Sequence, residues 1–108
     1  MLSRKEPHRR PLAIEDIAGH SENIAESNLG AALRFLDAVE STVEFLCQFP
    51  EAGGIAPTTS PEAQGLRVKL VASFGNYMIL YYVRSETIDI VRVIRGGQEL
   101  DQIALQSR

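Results

Sequence analysis

The sequence predicts an α+β fold: an N-terminal antiparallel helical hairpin packed on a small, mainly antiparallel sheet of three to four strands. Three observations predict it. Residues 12–48 carry two apolar stripes at the helical period, parted by one break at Asn28-Leu29-Gly30. Residues 66–98, LRVKLVASFGNYMILYYVRSETIDIVRVIRGGQ, hold three short β-patterned runs in tandem. Residues 50–65 between them contain three prolines and three glycines and no apolar period, so helices and strands form separate blocks. With 108 residues, the chain is read as one domain, 1–108.

Each element has its own warrant. Glu6 to Leu12 reads as a short first strand, confined to a sheet edge by Pro7 and Pro11. The first helix is expected over Leu12 to Ser27, where Ile14, Ile17, Ala18, Ile24 and Ala25 recur at the 3.6-residue period. Glu15 and Asp16 are expected in its first turn, where the helix dipole favours acids, and Asn28 or Gly30 as its left-handed cap. The second helix is expected over Ala31 to Gln48. Ala32, Leu36, Val39, Val43 and Leu46 form its stripe, widened by Phe35 and Phe49, and Pro50 ends it. The short link makes the pair antiparallel.

Residues 50–65 read as a loop. Leu66, Val68 and Leu70 alternate with Arg67 and Lys69, as in a half-buried strand. Ser73-Phe74-Gly75-Asn76 is the expected turn into Tyr77 to Arg84, an apolar run suited to a central strand covered on both faces. Ser85-Glu86 turns the chain into Thr87 to Arg95. That strand alternates imperfectly, which requires either a register-shifting bulge or an interior, paired Arg92. Leu100, Ile103 and Ala104 mark a short helix in the tail.

Charge is unevenly spread. The net value is −3, yet residues 1–10 and 66–95 each carry +3, whereas Arg34 stands against eight acids within residues 11–51. An acidic chain disfavours a nucleic-acid-binding surface, and the helix acids are read as solvating outer faces. No apolar run reaches membrane-spanning length and no signal segment follows MLSRKEPHRR. The single cysteine, Cys47, fits a reducing compartment, so a cytoplasmic protein is expected. Cys47 reads as a small buried hydrophobe, and His8 and His20 as exposed or structural. Neither metal-ligand spacing nor a phosphate loop or nucleophile elbow is present, so no catalytic residue, metal or cofactor is assigned.

The chain resembles the RelE/ParE toxin superfamily. The likeness rests on two helices, the turn Phe49-Pro50-Glu51-x-Gly53, then Gly65-Leu66-Arg67, an aromatic-apolar strand, and a closing I-x-I-V-R-V-I-x-G. It covers roughly residues 8–105 and is nearest the ParE branch. It implies the toxin of a bacterial type II toxin–antitoxin pair, wrapped and neutralised by a ParD-like antitoxin. The ParE branch is associated with poisoning DNA gyrase by stabilising its cleaved-DNA state, which makes gyrase the implied target and any DNA contact indirect.

The alternatives are a ribosome-dependent mRNA endonuclease of the RelE kind and a non-toxic member that binds antitoxin. Endonucleases of that branch commonly carry an arginine after the tyrosine opening the central strand, where this chain has Tyr77-Met78. They often end near a terminal tyrosine, whereas no tyrosine follows Tyr82 here. Where ParE members often read histidine-glycine-alanine-arginine-aspartate, this chain reads Arg95-Gly96-Gly97-Gln98-Glu99, keeping glycine and acid and losing the histidine. The expected target-binding residues are Arg67, Lys69, Arg92, Arg95, Gly96, Gly97, Gln98 and Glu99. The expected antitoxin-binding residues are Phe35, Val39, Phe49, Leu66, Val68 and Tyr81.

Overall fold

A computed structural model describes residues 4–96. Along the chain run β1 (Glu6–Arg9), α1 (Pro11–Ser27), α2 (Leu29–Gln48), β2 (Gly54–Ile55), a 3-10 turn at Pro61–Ala63, β3 (Arg67–Val71), β4 (Phe74–Val83) and β5 (Thr87–Arg95). The strands form one five-stranded sheet in the order β1-β5-β4-β3-β2. All neighbours are antiparallel except β1, which lies parallel to β5. The sheet thus has more strands than expected, because the two-residue β2 forms within the 50–65 segment. The expected tail helix lies outside the described residues.

Local chemistry accounts for the shifted boundaries. Pro11 opens α1, a position where its missing N–H leaves nothing unsatisfied. Glu15 and Asp16 therefore fall beyond the first turn. Asn28 is extended at φ −160°, not left-handed, and its side chain accepts a hydrogen bond from the Ala31 N–H at 2.9 Å. It is the N-cap of α2, so Gly30 lies inside that helix. The β3–β4 turn is tighter than expected. Ser73 takes the positive φ (65°) and Phe74 already belongs to β4.

Two apolar clusters lie on the two faces of the sheet. Phe35, Val39, Val43, Leu46 and Cys47 of α2, with Ala13 of α1, meet Val71, Ile79, Tyr81, Ile88, Ile90 and Val93. On the other face Leu66, Leu80, Val91 and Ile94 are joined by Ala56 and Ala63, with Val68, Met78 and Tyr82 packed alongside. The 50–65 segment is therefore an ordered cover, tied down where the Tyr82 hydroxyl donates to the Glu62 carbonyl. A bulge lets β5 serve both clusters: Leu80 pairs with Arg92 but Tyr81 pairs with Ile90. Ile90 and Val93 consequently face the helices while Val91 and Ile94 face away.

The β5 edge beyond β1 is closed by side chains rather than by a strand. Pairing with β1 stops at Ile90. Further along, the Val93 N–H donates to Asp16 Oδ2 at 3.0 Å and the Val93 carbonyl lies 2.8 Å from His20 Nε2. Asp16 and His20, one helical turn apart on α1, together replace a strand partner. Among the described residues no helix is long and apolar enough to cross a membrane.

Candidate functional site

The basic residues expected at the target surface do not converge. Arg92 is half-buried and donates from Nε and Nη2 to both Asp16 oxygens, at 2.6 and 2.8 Å. Bulge and buried pairing, posed as alternatives from the sequence, are both present. Arg67 Nη1 donates to the Gly53 carbonyl at 2.6 Å and its Nη2 lies 3.7 Å from Glu51. Lys69 Nζ sits over the Phe45 ring, 5.8 Å from its centre. Of the expected residues that are described, Arg95 and Gly96 are the exposed ones, and the Gly96 N–H donates to the Asn76 carbonyl. Gly97, Gln98 and Glu99 lie outside the described residues.

The motif behind the family likeness is a structural knot. The Tyr81 hydroxyl donates to the Pro50 carbonyl at 2.8 Å and accepts from the Gly53 N–H at 2.9 Å. A Cβ on Gly53 would stand 2.6 Å from both that hydroxyl and the Val68 carbonyl oxygen, so only glycine fits. Burial raises the Tyr81 hydroxyl pKa, with the Gly53 hydrogen bond opposing it, which keeps the phenol neutral.

Four of the six residues expected at an antitoxin surface are fully buried in this structure. Phe35, Val39, Leu66 and Tyr81 have no exposed area because they form the two clusters, and a partner cannot touch them in this conformation. Phe49 is 50% exposed and Val68 half-buried. Further exposed large apolar residues include Phe45 (44% exposed), Leu70 (53%) and Ile55 (65%). The Phe45 and Phe49 rings lie against each other at a 38° tilt with centres 4.9 Å apart. Their four-residue spacing, off the stripe through Val39, Val43 and Leu46, was the available signal.

A second polar group lies on the helix-free face. Asp89, largely buried, accepts from Arg10 at 2.8 and 3.1 Å and from Arg84 at 3.2 Å. Burial pushes its pKa up, but the hydrogen bonds and charges of Arg10 and Arg84 outweigh this and hold it below the ordinary value. Both guanidiniums also lie over the Tyr82 ring, at 5.9 and 4.6 Å from its centre. On α2, Glu44 is pulled down to about 2 chiefly by its hydrogen bonds from Arg4. Burial raises the Cys47 thiol pKa, leaving it an inert packing group. Among the described residues no group of three or more histidine, cysteine or carboxylate side chains is placed to hold a metal ion.

Comparison with known proteins gives a consistent outcome. The profile of the family described as ParE toxin of type II toxin–antitoxin system, parDE, matches residues 9–100. Among solved structures, one described as the chromosomal ParDE toxin–antitoxin system from P. aeruginosa superposes with a TM-score of 0.69 at 18% identity. The superposition covers 87% of this chain and 98% of that one. At this identity the likeness is one of fold. No curated protein matches the sequence.

Proposed function

The chain belongs to the ParE toxin family of type II toxin–antitoxin systems, and from that premise we propose that it poisons DNA gyrase in the cytoplasm and is held inactive by a ParD-like antitoxin. The observation that carries the reading is how the strand cations are used. Stabilising a phosphorane during RNA cleavage needs cations converged on one point. Here Arg92 is clasped by Asp16 and Arg67 by the 51–53 backbone and Glu51. Lys69 and Arg95 stand on strands separated by β4, at least about 10 Å apart across the sheet. This arrangement favours toxicity by contact over bond cleavage.

Arg95 and Gly96, exposed where the chain leaves β5, are the contact we assign to the target. The test is a plasmid supercoiling reaction with purified gyrase and toxin freed of antitoxin. Loss of supercoiling with accumulated linear, protein-linked DNA is expected, and Arg95→Ala should weaken it about tenfold while still binding antitoxin. Unchanged supercoiling at large molar excess of folded protein rejects gyrase as target, and mRNA cleavage on translating ribosomes then becomes the assay.

A further inference from the structure

Strand alternation gathers polar side chains on the helix-free face, about 20 Å along β5 from Arg95. Arg9 pairs with Glu40 of α2, so its neighbours His8 and Arg10 point the other way. They line one side of an open cleft of about 490 Å³. Glu62 and Gln64, at the 3-10 turn, line it too, with Tyr82 and Val91 on the adjacent strands β4 and β5. Arg84 completes the cleft. Its guanidinium and that of Arg10 share one acceptor, Asp89 Oδ2, at 3.2 and 2.8 Å. Asp89 is held ionised and offsets one of these two charges, leaving one positive charge over. Arg84 is the accessible partner: its side chain is 51% exposed and lies over the Tyr82 ring. Among the described residues its hydrogen bonding is confined to Nη2, so further N–H groups are left to donate.

We propose that this cleft binds a nucleoside monophosphate, its phosphate on Arg84 and His8 and its sugar and base edge against Gln64 and Glu62. The site stands independently of the toxin–antitoxin reading. A guanidinium fork matches two phosphate oxygens at once, and the exposed His8 ring adds a nitrogen donor beside it. Size and charge select the rest of the ligand. The cleft lies within the range of about 300–1,000 Å³ that small-molecule sites occupy, far more than one phosphate fills. The Glu62 carboxylate repels a second anion but accepts hydrogen bonds from hydroxyl or amino groups, and the exposed Gln64 amide both donates and accepts. The fitting ligand is therefore anionic at one end and neutral, with hydroxyl and amino groups, at the other. Tyr82 positions both ends, since its ring lies under Arg84 and its hydroxyl donates to the Glu62 carbonyl.

The test titrates the full chain with AMP, GMP, adenosine and inorganic phosphate, followed by calorimetry and by the NMR signals of the His8 and Arg84 side chains. At least one monophosphate is expected to bind about tenfold more tightly than phosphate or adenosine alone, shifting both signals. Arg84→Gln should weaken it about tenfold, and Gln64→Ala should bring it down to the affinity of phosphate. Arg34→Gln removes the same charge from the exposed face of α2 and should change nothing. Tm of each variant shows that it is folded. Equal affinity for phosphate and monophosphates overturns the nucleotide and leaves a bare phosphate site. Binding indifferent to Arg84→Gln, or no binding at millimolar ligand, overturns the site itself. Tighter binding of a short single-stranded oligonucleotide without a terminal phosphate overturns the free nucleotide and assigns the cleft to a nucleic-acid backbone.

Discussion

Tyr81 shows how one residue can look like surface in sequence and be structure in space. Its aromatic ring belongs to the helix-facing cluster, and its hydroxyl makes two hydrogen bonds to the Pro50–Gly53 turn. Tyr81→Phe leaves the Pro50 carbonyl and the buried Gly53 N–H without that partner. The expected loss is about 2 kcal/mol, read as a fall in Tm of roughly 10 °C. Gly53→Ala should be at least as severe, since its Cβ meets a backbone oxygen and a wedged ring. An exposed-residue change such as Gln48→Ala should stay within about 0.5 kcal/mol. The glycine was legible in the motif; its reason was not, because Tyr81 lies 28 residues away.

Among the elements, α1 does more than cover a core. Its Asp16 and His20 take the place of the strand that β1 does not extend far enough to supply. Asp16→Ala is expected to strip the Val93 N–H and leave half-buried Arg92 without its carboxylate, at a cost of about 3 kcal/mol. Amide exchange at Val93 should accelerate selectively, while exchange at Ile79, on β4 between β3 and β5, follows global stability alone. Equal acceleration at both sites would mean that the edge is not closed locally. The helix itself was readable from its apolar period. The partnership of Asp16 with β5 was not, since period identifies which face is buried but not which strand edge lies opposite.

Across the whole molecule, the uneven charge seen in sequence becomes internal complementarity. Arg4 and Arg9 of the basic N-terminal segment pair with Glu44 and Glu40 of α2, and Arg10 pairs with Asp89. The helix acids are thus partly engaged rather than merely solvated. Asp89 sets an acid dependence. Its folded pKa lies below the unfolded value of about 3.9, so its contribution is complete above that value and lost as pH falls through the folded pKa. Denaturation followed by urea at pH 7, 5 and 3 should show little change to pH 5 and a marked loss at pH 3. Asp89→Asn should lower stability at pH 7 by about 2 kcal/mol and flatten the acid limb. A bound antitoxin should raise apparent stability by about 2.7 kcal/mol at a hundredfold excess over Kd, with a matching gain in soluble yield on co-expression.

Apolar period and turn chemistry by themselves determined the helical hairpin, the run of strands after it, and the order of motifs that marks the family, since these are properties of neighbouring residues. Only the tertiary structure decided which side chains remain at the surface. Phe35 and Phe49 flank one predicted stripe, yet the first is sealed against the sheet and the second stands at the end of α2. The bulge at Val91 and the closing of β5 by Asp16 and His20 both depend on strand pairing between distant segments. Pairing fixes where backbone groups are left over, and a single sequence carries no record of which strands will be neighbours.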